Sequence, residues 1–243
     1  MKPKNKKKIK TIINNLLGIF PRNYFSNFFI DSHLVIMFHR VHPSFANNDN
    51  DPNYSLGIDP ELFEMVIKYF SNNYEIVPIE NIKYSKLSEN NRLKIIITFD
   101  DGYKDNYTFA LPILKKYNAP ATIYISTRFI NGETWTWWYF LWNLINKSNK
   151  LKFNDSQFKG DFLLDSYSSK INCYGELSNI FRKLNYRKQI ELAKKIDPLF
   201  TKYYGSELFL SWDQLKKFSS DSLITIGCHT NNHTSLANIA KEE

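Results

Sequence analysis

The stretch Lys94–Phe99 limits the fold more than any other part of this chain. Its three consecutive isoleucines, Ile95, Ile96 and Ile97, read as a strand that is apolar on both faces. A strand wetted on one side alternates apolar and polar residues, whereas an unbroken run belongs inside a sheet covered from both sides. Leu34 to Phe38 is a second run of that kind, and Tyr74 to Val77, Ala121 to Ile125 and Leu223 to Gly227 read as further strands. Helical patterns lie between them. Residues 59–72 offer Asp59 as N-cap, Pro60 at the first helical position, and Phe63, Val66, Ile67 and Phe70 on one face. A short helix is expected over 79–87 and a helix disturbed at Pro112 over 105–117. The capping-box spacing of Ser211 and Gln214 predicts a helix over 212–219. Strand followed by helix, repeated, predicts an α/β fold with a largely parallel sheet.

Residues 128–210 break that rhythm. They are polar, rich in Lys and Asn, and helix-like near 137–147 and 176–196, so they read as an insertion or small subdomain. Four of the five tryptophans, Trp135, Trp137, Trp138 and Trp142, gather at its start. Such a cluster can stack on sugar rings; equally, Trp138, Leu141, Trp142 and Ile145 have the spacing of a helix's packing face.

The remaining features bound the class of protein. The 43% hydrophobic and 16% aromatic content excludes a disordered chain, and two cysteines, Cys173 and Cys228, exclude a disulfide framework. Six lysines and no acid fall within residues 1–10, which leaves only +2 of the +8 net charge for the rest of the chain. A nearly neutral body argues against a nucleic-acid partner. The basic tail reads either as a solvated segment or as one attracted to an anionic membrane surface. Ile9, Ile12, Ile13, Leu16, Leu17, Ile19 and Phe20 follow it at near-helical spacing, too short to span a bilayer and without a small-residue cleavage site. The expectation is therefore a basic tail and amphipathic helix over residues 1–30, with peripheral membrane contact through 1–20, ahead of one domain over 31–243. Location is expected to be cytoplasmic or at the membrane periphery.

Three clusters can carry chemistry, and each follows a predicted strand. Asp100-Asp101-Gly102-Tyr103 places two carboxylates where α/β folds put active sites, although Asp-Gly is also ordinary turn chemistry. His229 and His233, four apart, would share one face of a helical turn and could hold one metal; the alternative is two surface histidines. His39 closes the first strand. Together they supply two carboxylates and three imidazoles at one edge of one sheet, enough for a one-carboxylate, two-histidine metal set and two groups for acid–base work.

These residues resemble the motifs of the polysaccharide deacetylases of the NodB-homology type, carbohydrate esterase family four, in their exopolysaccharide and lipopolysaccharide branch. Thr98-Phe99-Asp100-Asp101-Gly102-Tyr103 is similar to the family's first motif and His229-Thr230-Asn231-Asn232-His233 to its second. The strand ending in His39-Arg40-Val41 is similar to the start of that branch, and the aromatic insertion followed by Leu210-Ser211-Trp212-Asp213-Gln214-Leu215 also fits it. The resemblance implies a distorted (β/α) barrel with a helical insertion. It implies a divalent metal, zinc in many members, on Asp101, His229 and His233, with Asp100 as general base and His39 as general acid. The substrate it implies is an N-acetylated, or O-acetylated, polysaccharide or lipid-linked glycan. Tyr103, Trp135 and Trp137 are the expected substrate contacts. Nothing after His233 resembles the family's third motif, so the barrel is expected to be incomplete at its C-terminus. A reading of another class remains beside this one: an inactive, carbohydrate-binding remnant of the same fold.

Overall fold

The computed structural model describes residues 33–46, 50–84, 94–133, 135–154, 159–200 and 206–238. The expectations for residues 1–20 lie outside them. No helix among the described residues is long and apolar enough to cross a membrane.

The isoleucine strand is the centre of the sheet. β5 (Lys94–Phe99) pairs in parallel with β1 (His33–Phe38) along its whole length, from His33 opposite Lys94 to Phe38 opposite Phe99. On its other side β5 pairs with β6 (Ala121–Ile125), which pairs with β9 (Ile224–Cys228). The short β4 (Glu75–Ile76) joins the beginning of β5. Two-residue strands β2 (Arg40–Val41) and β3 (Gly57–Ile58) pair separately beside the site. The five-stranded sheet is wholly parallel, which is the architecture the sequence pattern predicts, and the described strands do not close it into a complete barrel.

This register positions the chemistry. Phe38 level with Phe99 makes His39 a neighbour of Asp100, and Asp100 N–H donates to the Phe38 carbonyl at 3.0 Å. Ile125 level with Cys228 brings Ser126 to His229, whose N–H donates to the Ile125 carbonyl at 2.8 Å. All three motifs thus leave the same end of the sheet.

Helices cover the sheet. α1 (Pro60–Asn73) starts as predicted, with Asp59 accepting from Leu62 N–H at 3.0 Å, and buries Phe63, Val66, Ile67 and Phe70. The helix expected over 105–117 is a π-helical turn, Asn106–Ala110, continued by α2 (Leu111–Lys116). Pro112 has no N–H to offer and crowds the preceding turn, so the extra residue is accommodated there. Residues 79–84 form a 3₁₀ helix, and the rest of the helix expected over 79–87 lies outside the described residues. Both arms of the Ser211/Gln214 box are formed at the start of the Trp212–Ser219 helix.

The insertion builds its own core. After α3 (Thr127–Ile130) come α4 (Trp137–Lys147), an antiparallel hairpin of β7 (Lys150–Asn154) and β8 (Lys159–Leu163), then α5 (Tyr167–Arg182) and α6 (Tyr186–Ile196); α7 is the Trp212–Ser219 helix. The single helix expected near 176–196 is thus two, because Asn185 caps a new start by accepting from Lys188 N–H at 3.1 Å. All four clustered tryptophans are only 2–8% exposed, so packing is their main role. They join Phe129, Leu141 and Phe181 in a cluster separate from that of the sheet.

Candidate active site

The Asp100–Gly102 turn starts from a strand that delivers its last residue into the core, since Phe99 is fully buried. Asp101 has φ 75° and Gly102 φ 77°. Two successive left-handed residues reverse the chain and turn the Asp101 carboxylate inward, where it is 2% exposed. For Asp101 that backbone is uncommon and strained, a cost found where the surrounding structure demands a geometry. Gly102 meets the demand without strain.

His229 and His233 do not lie on a helical turn, contrary to expectation. Residues 229–235 form an irregular loop with Thr230 at φ 62° and His233 at φ 54°. The loop is held by α3 and the residue before it. Ser126 Oγ donates to the His229 carbonyl at 2.7 Å, Thr127 Oγ1 to Asn231 Oδ1 at 2.7 Å, and Arg128 Nη1 to Asn232 Oδ1 at 3.0 Å. The two imidazoles reach convergence by this route, their ring centres 5.0 Å apart.

Asp101, His229 and His233 meet at one point. The two Nε2 atoms lie 3.4 Å and 3.0 Å from Asp101 Oδ1, and the three donor atoms are all within 4.8 Å of one another. Asp101 Oδ1 is buried and receives no hydrogen bond of proper geometry, despite these neighbours. A buried carboxylate oxygen without a hydrogen-bond donor is costly, and two imidazole nitrogens aimed at the same point as the oxygen form a donor set suited to a divalent transition-metal ion. The residues therefore fit the metal that the resemblance implies.

Electrostatics separate the two carboxylates. Burial pushes Asp101 up, but the His233 contact and the His39 and His229 charges outweigh it, so Asp101 lies below the usual carboxylate value. Burial dominates at Asp100 and raises it, against the histidines. Burial and the neighbouring His233 lower His229. At His233 burial opposes the charge, yet the Asp101 contact prevails and raises it.

The expected substrate contacts divide. Trp137 lines a cavity of about 250 Å³ together with His229, Thr230 and His233. Trp135 packs on Phe140, Phe181 and Phe200, away from any such surface. Tyr103 is fully buried, stacked on Phe209 at 4.9 Å, because the chain reversal at Gly102 sends it into the insertion's core. Phe209 in turn stacks on Phe129 at 4.1 Å, and Phe129 and Trp138 lie 5.6 Å and 5.1 Å from the His233 ring.

What fixes His39 lies outside its own motif. Asn106 Nδ2 donates to the His39 carbonyl at 2.9 Å; Asp105 accepts from Val41 N–H at 3.2 Å and from Arg40 Nε at 2.7 Å. Both residues are buried. The only signal in the sequence was the Asp105-Asn106 pair, one helical turn after Asp101.

With parallel strands delivering an Asp-Asp-Gly turn, a His pair and a single His to one place, the comparison with known proteins is decisive. Residues 88–243, well over half of the chain, match the family profile described as "Polysaccharide deacetylase". The chain belongs to the polysaccharide deacetylase family. This family member is 38% identical over 74 residues to "Putative polysaccharide deacetylase YxkH" of Bacillus subtilis (strain 168), a stretch covering 29% of the chain and 26% of that relative. Among solved structures it is similar to a de-N-acetylase from Aggregatibacter actinomycetemcomitans, with TM-score 0.45 and 18% identity over 82% of this chain and 55% of that one. It is also similar to a polysaccharide deacetylase from Bacillus cereus, with TM-score 0.44 and 16% identity over 86% and 42%. The similarity thus spans about a quarter of the curated relative and about half of the solved chains.

Proposed function

We propose that this chain hydrolyses N-acetyl groups on an amino-sugar polysaccharide or lipid-linked glycan, with O-acetyl groups accessible to the same machinery. Asp101, His229 and His233 would hold one divalent cation, zinc by the nature of the donors. The observation that carries the reading is the buried Asp101 oxygen, without a hydrogen-bond donor and facing two imidazole nitrogens at 3.0 and 3.4 Å. When bound, the ion supplies Lewis acidity toward the acetyl carbonyl and a water.

The chain's own residues supply the proton handling. Asp100, raised by its burial, retains the basicity to take a proton from the attacking water. Asp101, held low by the histidines, is the poorer base and the better ligand. His39, beside Asp100 through the strand register, is placed to give a proton to the departing nitrogen. The water oxygen bonds to the carbonyl carbon, the C–N bond breaks, and acetate and a free amine leave. Asn106 and Asp105 fix the backbone on either side of Arg40, directly after His39, and so hold the acid in place. Peripheral attachment to an anionic membrane through residues 1–20 would suit a lipid-linked substrate.

The test couples metal binding to acetate release. Purified protein should bind one zinc ion per chain and release acetate from an N-acetylated oligosaccharide. His229→Ala should abolish stoichiometric zinc binding. Asp100→Asn should retain zinc and lose about 10²- to 10⁴-fold in turnover. Retention of full activity by Asp100→Asn, or of zinc by His229→Ala, refutes the assignment.

A further inference from the structure

A second cavity is larger than the one at the histidines. It measures about 750 Å³ and opens on the other side of α4, against Asp51 and Tyr167. Tyr139, Trp142, Asn143 and Asn146 line it, and at 100° per residue they fall within one stripe about 100° wide. The rest of α4 is the packing face, where Trp138, Leu141 and Ile145 are buried; Trp142, also buried, stands at the border between the two. The helix therefore faces its core with hydrocarbon and indole, and faces the cavity with two aromatic rings and two carboxamides.

That composition suits one kind of ligand. Aromatic faces offer flat apolar area, and carboxamides offer both donors and acceptors in neutral form. Among the described residues no basic side chain lines the cavity and Asp51 is the one ionised group, so an anionic ligand is disfavoured. The size is that of a small-molecule site rather than of a packing defect. A hydroxyl-rich neutral ring, with apolar C–H faces and polar edges, matches both features.

The cavity is tied to the candidate active site. The Tyr139 hydroxyl accepts from Arg40 Nη1 at 3.0 Å, and Arg40 follows His39 in the chain. Tyr139 and Asp51 also border a smaller cavity that Arg40 lines. Elsewhere on the same helix, bordering that stripe, Trp138 stands 5.1 Å from the His233 ring. One rigid element therefore connects the Asp101–His229–His233 cluster to the aromatic–amide cavity.

We propose that this cavity is a second saccharide subsite, which binds a neutral sugar unit of the glycan at a distance from the acetyl group being removed. The proposal rests on the deacetylase reading for the identity of the glycan, but its binding test does not. Asn146 and Tyr167 are exposed and Asn143 is half-buried, so Asn143→Ala, Asn146→Ala and Tyr167→Ala should fold normally, as circular dichroism and melting would verify. The probes are N-acetylglucosamine oligomers of two and six units. Calorimetry on metal-free protein should show the hexamer binding, weakened about three- to tenfold by each variant. In the zinc-loaded enzyme the variants should raise KM for the hexamer by a similar factor, with kcat and dimer turnover unchanged. No hexamer binding by the wild type, or equal losses on dimer and hexamer, overturns the subsite. Hexamer binding that the variants weaken, without any acetate release, upholds the subsite and refutes the deacetylase reading instead.

Discussion

Substituting Asp105 by Ala strands a buried cation. Arg40 is 12% exposed and Asp105 5%, and their contact is 2.7 Å. Removing one member of a buried pair costs about 3–5 kcal/mol, because the other charge stays desolvated. Arg40 keeps the Tyr139 hydroxyl at 3.0 Å and the Tyr103 face at 4.9 Å, so the loss should lie near the lower end, about 3 kcal/mol. Part of that is the Val41 N–H, which loses its 3.2 Å acceptor, at about 1–2 kcal/mol. Arg40→Met in the Asp105→Ala background removes the stranded charge and should restore what exceeds that term. The measurement is urea unfolding of the four proteins of the cycle in the absence of metal. A double variant no more stable than Asp105→Ala would refute the argument, because the damage would not then come from the unpaired guanidinium. The pH dependence gives a second check. Burial raises Asp105 above its ordinary value despite Arg40, so the folded state holds that proton more tightly than the unfolded one. The associated stability is complete below the ordinary carboxylate value and declines as pH rises through the raised one, a slope that Asp105→Ala should lack.

Gly102→Ala should lose about 1–3 kcal/mol, since φ is +77° and the new methyl would stand 3.0 Å from Ile125 Cγ2; thermal melting measures it, and an unchanged melt would show that the turn relaxes. Asp221 lies low because it accepts from Lys115 and from Leu223 N–H. Its contribution is therefore present above the unfolded carboxylate value and lost as pH falls, so Asp221→Asn should be less stable than wild type at pH 7 and equal to it in acid. Ser211→Ala removes the acceptor for Gln214 N–H and should cost about 1 kcal/mol, read by chemical denaturation.

Much of the sheet was legible because its signal is local. Ile95–Ile97 can satisfy neither a wetted strand nor an amphipathic helix, and the caps at Asp59 and Ser211 act within four residues. The meeting of His39 with Asp100 was legible once both were placed at strand ends, since parallel pairing aligns those ends. The histidine loop was not, because Thr230 and His233 take left-handed backbones imposed by Ser126, Thr127 and Arg128 about a hundred residues earlier. The β7–β8 hairpin was hidden in a Lys- and Asn-rich stretch whose alternating burial, with Leu151 and Phe153 inside, is too short to stand out. Tyr103 read as a site residue from its neighbours, but the reversal at Gly102 points it the other way.

The two cores meet beneath the histidines. Tyr103 follows the sheet's own turn yet belongs to the insertion's cluster, and Phe209 and Leu210, adjacent in sequence, belong one to each. Cooperative units of this size can open separately, each with its own free energy. Opening of the insertion alone would strip Phe129 and Trp138 from His233 while β1, β5, β6 and β9 stayed paired. The working lifetime of the site is then that of the weaker unit. Amide exchange at Trp138 and Leu141, compared with Ile96 and Ile123, would reveal which unit that is.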